Sequence, residues 1–238
     1  MCRTIAQLDA EITACRACPR LVAWREQVAH DKRASFSDEN YWGRPVPAFG
    51  PGDARLLVVG LAPAAHGGNR TGRMFTGDRS ADFLIAAMHA AGLSNQSTSV
   101  RADDGLRLLD TRMTAPVHCA PPDNKPTPTE RDTCRRWLVS ELTLMAPYLR
   151  AIVVLGGWGW QALLPALAES GWAIPKPRPR FAHGAHVELS PARDRRSPLH
   201  LFGTYHPSQQ NTFTGRLTPA MLEAVLRDAK RAADEGPA

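Results

Sequence analysis

The sequence has no apolar run long enough to cross a membrane and no apolar stretch at its amino terminus. The longest apolar run beside a predicted strand covers residues 56–65, whereas a membrane-spanning helix needs about 20 apolar residues. The first residues include Asp9 and Glu11 where a signal peptide requires an apolar stretch. We therefore expect a cytoplasmic protein without a membrane partner.

Internal repeats and low-complexity tracts are absent as well. Hydrophobic residues make up 43% of the 238 residues and charged residues 22%. This composition excludes a disordered chain, a collagen-like chain and a coiled coil. A chain of this length buries about 70% of its unfolded surface, which is enough for a hydrophobic core. We expect residues 1–238 to form a single domain.

Cysteine is scarce, and its odd number argues against a disulfide framework. The five cysteines are Cys2, Cys15, Cys18, Cys119 and Cys134. Cys15 and Cys18 form a C-x2-C pair that can place two thiolates on one metal ion or cluster, and Cys119 with Cys134 would complete a four-sulfur shell. The spacing does not separate zinc from an iron–sulfur cluster. A set of buried free cysteines is the alternative.

Acidic residues are fewer than basic ones, and the formal net charge of +6 favours an anionic partner such as nucleic acid. Residues 171–198 hold six basic and two acidic side chains, and therefore most of the excess charge. This segment is either a solvated loop or a surface that contacts phosphates. The sequence leaves both interpretations open.

Apolar runs that lack polar alternation predict four buried strands, as in a parallel sheet covered on both faces. The runs are residues 55–60, 113–119, 151–156 and 200–205. Helical patterns at residues 82–91, 129–148 and 158–169, and a last helix capped by Thr218 with Pro219 at its first position, lie between or after them. This alternation predicts an α/β fold, a single three-layer α/β/α sandwich with a mainly parallel four-stranded central sheet. Residues 29–52 read as an irregular connection.

In such a sheet, ligands bind outside the carboxyl ends of the strands. The loops there are residues 61–78, 120–128, 156–159 and 206–215, and three of the four have the residue types of functional loops. The first is rich in glycine and contains neither a P-loop nor a dinucleotide fingerprint. Its Phe75 either stacks on a flat ligand or anchors the core.

The other two loops each carry one candidate for chemistry. His206 follows a buried strand and precedes a proline, so it either hydrogen-bonds a leaving group, acts in acid–base chemistry or has a structural role. Asn124 lies in a proline-stiffened turn beside Cys119, a segment that residue types alone would assign to a simple turn.

Taken together, GLAPAAHGGNRTGRMFTGD, CAPPDNKPTPTE and HPSQQNTFTGRL resemble the uracil-DNA glycosylase superfamily, and most closely its family 5, the type B iron–sulfur enzymes. The resemblance implies a DNA repair enzyme that removes uracil, hypoxanthine and xanthine and leaves an abasic site. It also implies a monomer associated with the nucleoid of a prokaryote. Cys15, Cys18, Cys119 and Cys134 would bind a structural [4Fe-4S] cluster, and Cys2 has no place in that pattern.

The resemblance assigns roles to individual residues of this chain. His206 would hydrogen-bond uracil O2, Asn124 would position the attacking water, and Asp78 would assist. Phe75 would stack on the flipped base, and Arg216 would press on the DNA backbone or fill the vacated stack. The remaining substrate-binding residues would be Gly60, Ala62, Asn69, Arg70 and Ala115.

Two departures from the sister families have consequences. Leu61 follows Gly60 where those families have an acidic residue, so water activation must be shared differently. Ala115 stands where they read uracil with an asparagine, and a pocket with fewer buried polar partners rejects wrong bases less strongly. We therefore expect broad base specificity. No lysine is placed for Schiff-base chemistry, which predicts a monofunctional enzyme.

Two other functions remain open at the level of the sequence. The missing acid after Gly60 and the basic segment are compatible with a non-catalytic iron–sulfur protein that binds nucleic acid or senses redox state. An enzyme that forms a covalent product through the histidine is the other alternative, although the specialised loop it needs near His206 is not evident.

Overall fold

The computed structural model describes residues 4–192 and 197–235 of the chain. The helices are α1 Ile5–Thr13, α2 Pro19–Asp31, α3 Gly68–Thr71, α4 Arg79–Ala90, α5 Pro128–Met145, α6 Gly157–Glu169, α7 Gln209–Phe213 and α8 Pro219–Asp234. The strands are β1 Leu56–Val59, β2 Thr111–Thr114, β3 Ala151–Leu155, β4 His186–Leu189 and β5 Leu199–Thr204. Two 3-10 turns cover Ala34–Phe36 and Pro122–Asn124.

The five strands form one sheet in the order β2-β1-β3-β5-β4. Strands β1, β2, β3 and β5 run parallel, whereas β4 pairs antiparallel with β5 at one edge. The predicted α/β class and mainly parallel sheet are therefore confirmed, but the predicted strand number of four is wrong. The pattern missed β4 because His186 and Glu188 are exposed on this half-polar edge strand.

Strand β2 begins two residues earlier than predicted and ends at Thr114, not at residue 119. The displaced boundary follows from Arg112, a charged residue inside a fully buried strand. Its guanidinium donates to Glu141 at 2.7 Å and to Asp9 at 2.7 Å, which compensates the charge inside the fold. A search for apolar runs cannot find a strand whose burial depends on partners in distant helices.

The sheet is covered on both faces because successive strand residues point to opposite sides. Val58 and Val153 face a core that contains side chains of α4 and α8, such as Leu84 and Leu226. Their neighbours Leu57 and Ile152 face a second core with side chains of α5 and α6. This arrangement gives the three layers that the sequence predicts.

The predicted helices are present as α4, α5, α6 and α8. Thr218 caps α8 by accepting a hydrogen bond from the Met221 amide, and Pro219 is its first residue. The sequence pattern predicts neither α1 nor α2, and α2 extends through Asp31 into the segment 29–52, which the pattern predicts to be irregular. Within the described ranges, no helix has the length and hydropathy needed to span a membrane.

Candidate active site

The carboxyl ends of β1, β2 and β5 border one cavity of about 510 Å³. Its volume falls within the range of about 300–1,000 Å³ that small-molecule sites occupy. Six residues singled out from the sequence line it, namely Ala62, Phe75, Asp78, Ala115, Asn124 and His206. The fold therefore brings residues from three separate loops to one site.

Phe75 occupies the cavity wall in a strained backbone conformation. Its φ of 47° lies in the left-handed region, which aromatic residues rarely adopt. The ring lies against Gly60, since a Cβ added at Gly60 would come within 2.5 Å of the Phe75 Cζ. Gly60 thus acts by leaving room for the ring, and strain of this kind is typical of functional sites.

A buried hydrogen-bond network holds the residues that precede and follow Phe75 in the chain. The Arg73 guanidinium donates to Asp104 at 2.8 Å and to the Thr76 hydroxyl at 2.9 Å. Asp104 also accepts hydrogen bonds from the amides of Val100 and Leu106. The connection between α4 and β2 therefore fixes the glycine-rich loop, a link that the sequence did not indicate.

Asp78 combines a place in the cavity wall with a capping role. Its Oδ1 accepts from the Ala81 amide at 3.0 Å at the start of α4. Burial raises the pKa of its carboxyl above the ordinary value, although the hydrogen bonds from backbone amides oppose this shift. Gly67 makes room for the carboxylate, because a Cβ there would lie 2.0 Å from Asp78 Oδ2.

Asn124 lies at the end of a 3-10 turn that enters the cavity from the second loop. Asp123 and Asn124 both have positive φ, 53° and 56°. Asn and Asp tolerate this region better than other non-glycine residues. The Lys125 amide closes the turn by donating to the Pro122 carbonyl at 2.9 Å.

His206 lies two residues after Thr204, the last residue of β5. Burial lowers the pKa of its imidazole to about 4, so the ring is neutral at pH 7. The Asn211 side chain donates to the His206 carbonyl at 2.9 Å and fixes the backbone there. A neutral imidazole can donate one hydrogen bond to a ligand oxygen, whereas it has no proton to transfer as a strong acid.

Like Gly60, three further predicted substrate-binding residues are not part of the lining of this cavity. Asn69 is fully buried and donates to the Arg25 carbonyl at 3.2 Å. Arg70 forms an ion pair with Glu39 and donates to the carbonyls of His66 and Gly77. These two residues therefore shape the glycine-rich loop from behind.

Arg216, the third, borders a neighbouring cavity of about 240 Å³ that shares Leu61 and His206 with the main one. It is exposed and lies over the Tyr205 ring, 4.6 Å from the ring centroid. In the basic segment, Arg193, Arg195 and Arg196 lie outside the described residues. Lys176, Arg178 and Arg180 are exposed, which fits either a solvated loop or a phosphate-contacting surface.

Cys15, Cys18, Cys119 and Cys134 all line one separate cavity beside α1 and α2. None of the four is in a disulfide, and Cys2 lies outside the described residues. Burial raises the pKa of the Cys119 thiol to about 11 and that of Cys134 to about 12. Thiols of this kind stay protonated at neutral pH unless a bound metal replaces the proton.

The contacts of Arg25 indicate whether these four cysteines can hold a metal centre. Its side chain is 2% exposed, and its Nη1 donates to the Cys119 Sγ at 2.9 Å. The nearest carboxylate is that of the half-exposed Glu26, 3.8 Å away, and Arg25 Nε has no acceptor among the described residues. A buried cation needs a buried anion, and a thiolate-bound metal centre would supply it.

A zinc ion and a [4Fe-4S] cluster would bind the four cysteines in different ways. Within the described ranges, no three His, Cys, Asp or Glu side chains are arranged to hold one metal ion. A zinc site needs its sulfurs about 2.3 Å from a common ion, whereas each cysteine of a [4Fe-4S] cluster binds a separate iron. Four cysteines that line one cavity supply the number of ligands that a [4Fe-4S] cluster needs.

Comparisons with known proteins show the family to which the chain belongs. The family model of the uracil DNA glycosylase superfamily matches residues 47–230. A type-5 uracil-DNA glycosylase of Mycobacterium tuberculosis is 57% identical over 230 residues, which cover 97% of this chain and 82% of that protein. The type-5 uracil-DNA glycosylase of Thermus thermophilus is 52% identical over 222 residues, covering 93% of this chain and 95% of the relative. This chain belongs to the type-5 uracil-DNA glycosylases.

Type-5 uracil-DNA glycosylases are hydrolases of N-glycosyl bonds, and membership therefore favours an enzyme over a non-catalytic DNA-binding or redox protein. The type-5 uracil-DNA glycosylase of Pyrobaculum aerophilum is 46% identical over 222 residues, covering 93% of this chain and 89% of the relative. In this type-5 chain, Leu61 and Ala115 both line the cavity, so the two departures noted in the sequence lie at the site itself.

Several residues that hold the site in this type-5 chain were missed from the sequence. They are Arg20, Arg73, Asp104 and Glu130. Glu130 had a recognisable signal, because a Thr followed three residues later by Glu is the pattern of a capping box. The two arginines had none, since an ion pair between distant segments leaves no local pattern.

Proposed function

We propose that this protein removes uracil from DNA by hydrolysing the N-glycosidic bond, leaving an abasic site for repair. The observation that carries the proposal is the cavity at the carboxyl ends of the strands, where Phe75, Asn124 and His206 meet. The names of the relatives support the substrate. The single domain of residues 1–238 would act as a monomer on the DNA of the cytoplasmic nucleoid.

The base must leave the helix before it can enter this cavity. Unstacking costs a few kcal/mol, and a damaged or mismatched base resists least. Phe75 stacks on the face of the flipped base, and its strained backbone fixes the ring before the base arrives. Arg216 lies at the neighbouring cavity, where it contacts the DNA backbone or the space that the base has left.

Cleavage transfers the electron pair of the bond between C1′ and N1 to the departing base. His206 donates a hydrogen bond to uracil O2, where negative charge develops, and does so as a neutral imidazole because its pKa is about 4. Asn124 positions a water that adds to C1′, and the proton lost by this water balances the charge of the uracil anion. Asp78 assists by accepting from that water, in place of the acid that Leu61 replaces.

The specificity of the pocket depends on the absence of a side-chain amide at residue 115. Ala115 is buried in the cavity wall and offers the base no amide. Without that hydrogen-bond pair the site discriminates less against other bases, so hypoxanthine and xanthine are also released. No lysine lines the cavity among the described residues, which supports a monofunctional glycosylase that does not cleave the strand.

Cys15, Cys18, Cys119 and Cys134 bind a [4Fe-4S] cluster with a structural role. Because Cys15 and Cys18 lie by the amino-terminal helices, Cys119 before α5 and Cys134 in α5, binding of such a cluster would hold these segments together. Arg25 compensates its negative charge from a buried position.

Single-turnover release of free base from a duplex with one uracil tests the proposal. His206→Ala and Asn124→Ala should each slow release by about 100-fold or more while DNA affinity is retained. Arg231→Gln, a change of an exposed residue on α8, is the control. Unchanged rates in both cavity variants would contradict the assignment.

The same assay with hypoxanthine or xanthine in place of uracil tests the specificity. Ala115→Asn should slow release of hypoxanthine more than release of uracil. Release of uracil alone by the wild-type protein would refute the broad range and leave the enzyme class intact.

A further inference from the structure

We infer that Arg20 is a positioning residue for catalysis, which holds the turn that carries Asn124. The inference rests on the proposed function, because it assumes that the Asn124 amide acts in the cavity. Arg20 is in the first turn of α2, two residues after Cys18 and far from Asn124 in sequence. It does not line the cavity.

Arg20 contacts both the second loop and the helix that follows it. Arg20 Nε and Nη2 donate to the two carboxylate oxygens of Glu130 at 2.8 and 2.7 Å. Arg20 Nη2 also donates to the Lys125 carbonyl at 3.2 Å. A single guanidinium therefore joins the residue after Asn124 to the start of α5, a geometry that lysine cannot reproduce.

The side chain and the backbone amide of Glu130 both form hydrogen bonds with Thr127 as well. Its Oε2 accepts from the Thr127 amide at 2.7 Å, and its own amide donates to the Thr127 hydroxyl at 3.2 Å. The Glu130 side chain is 9% exposed, whereas that of Arg20 is 43% exposed. Loss of Arg20 would leave a buried carboxylate without its cation.

The turn needs such a restraint because its backbone is strained. Asp123 and Asn124 have consecutive positive φ values, and such conformations persist only where the surroundings enforce them. Among the residues that the structure describes, the only side-chain hydrogen bond to the backbone of residues 122–126 comes from Arg20. The direction of the Asn124 amide therefore depends on a residue of the amino-terminal helix.

The test is a double-mutant cycle on single-turnover uracil release from a 5′-labelled duplex. Arg20→Gln should lower the rate by about 10- to 100-fold, as expected for a small misplacement of a catalytic group. DNA affinity, iron content and the visible absorption of the protein should not change. In an Asn124→Ala background, Arg20→Gln should cause little further loss, because both changes remove the same interaction.

One further variant and one control complete the double-mutant cycle. Arg20→Lys keeps the charge but loses the bidentate contact, and should recover only a fraction of the rate. Arg55→Gln is a matched control, since Arg55 is also 43% exposed and bonded to a carboxylate at 2.9 Å, that of Asp234. Because Arg55 precedes β1, at the opposite end of the strands, its loss should leave the rate unchanged.

Hydrogen exchange gives a readout that does not depend on chemistry. Arg20→Gln should speed exchange of the Asn124 and Lys125 amides, which donate to Pro121 and Pro122. Equal rates for the Arg20 and Arg55 variants, additive losses with Asn124→Ala, or loss of iron from Arg20→Gln would each overturn the inference. A wild-type protein that releases no uracil would instead overturn the proposed function, and the exchange result would still decide whether Arg20 holds the turn.

Discussion

The two loops that bring Phe75 and Asn124 to the cavity are held in different ways. The glycine-rich loop is fixed by charged residues of its own, Arg70 and Arg73, and by the cap that Asp78 forms on the next helix. The loop with Asn124 contains prolines and a strained turn, and its outside support comes from Arg20, 105 positions away from Lys125. The first loop thus supplies the arginines that bind it to Asp104 and Glu39, while the second loop receives its arginine from the amino-terminal helices.

This difference teaches where the site is vulnerable. Damage to the glycine-rich loop should appear as lost stability, because its charged residues are buried in the fold. Damage to the second loop should appear as misplacement of one amide, since the contact with Arg20 is half-exposed. Substitutions that break the contacts of one loop and leave those of the other intact distinguish lost stability from misplacement of the amide.

If the four cysteines hold the proposed cluster, removal of its iron should have the largest effect on this contrast. Metal-binding free energy is folding free energy where ligands come from separate segments, and Cys119 directly precedes the second loop. In iron-depleted protein, amide hydrogen exchange should rise strongly over residues 120–127 and much less over residues 60–78. Iron-replete protein in the same buffer is the reference. Equal exchange in the two loops after depletion would remove the distinction between them.

Arg73→Ala should be the most destabilising single change in the glycine-rich loop. The Arg73 side chain is 6% exposed and that of Asp104 15% exposed, and breaking a buried ion pair costs about 3–5 kcal/mol. Denaturant unfolding measures the loss. Arg101→Ala, which breaks the exposed pair with Asp103, is the control and should leave stability close to wild type. Similar losses in both variants would show that the buried network does not hold the loop.

Substitutions of Asp78 separate its role as the helix cap of α4 from the role of its negative charge in uracil release. Asp78→Ala removes the acceptor for the Ala81 amide and should cost about 1 kcal/mol of unfolding free energy. Asp78→Asn keeps an acceptor and should retain most of that stability, yet it should slow uracil release if the carboxylate assists the water. Loss of stability in Asp78→Asn equal to that in Asp78→Ala would argue against the cap.

The smallest expected effect is an opposite pH response of the two loops. Burial raises the pKa of Asp78, so its ionisation costs stability as pH rises above the ordinary value of 3.8. Burial also raises the pKa of Glu130, but the hydrogen bonds from Arg20 and Thr127 outweigh it, and the net shift is downward from 4.5. Glu130 therefore adds stability that is lost as pH falls below that value.

Unfolding free energies between pH 3 and pH 7 check these signs. Relative to wild type, Asp78→Asn should become more stable as pH rises across this window, and Glu130→Gln should become less stable. Curves that shift in the same direction would contradict the assignment of the two pKa shifts.

The sequence predicts the features of this molecule that depend on local pattern. The strands β1, β3 and β5 are short apolar runs, and the Thr218–Pro219 start of α8 is a local capping signal, so the layers follow from them. The cavity residues Phe75, Asn124 and His206 were found because their loops have recognisable motifs. These features need no knowledge of distant contacts.

The features that the sequence does not predict depend on partners far along the chain. Arg112 is buried in β2 only because Asp9 and Glu141 come to it from two helices. The sequence predicts that Asn69 binds substrate, yet its side-chain amide donates a hydrogen bond to the Arg25 carbonyl. In both cases a polar residue has its partner in another element, and residue type alone cannot tell such a partner from a ligand.

Strand β4 has a consequence for how the protein behaves at high concentration. An open sheet edge can pair with another chain and start aggregation, and short strands with charged residues oppose this. β4 has four residues, and its His186 and Glu188 are exposed at the edge. A second copy would find few apolar side chains and a short backbone with which to extend the sheet. The strand that the apolar pattern missed thus helps to keep neighbouring copies of the enzyme from joining edge to edge.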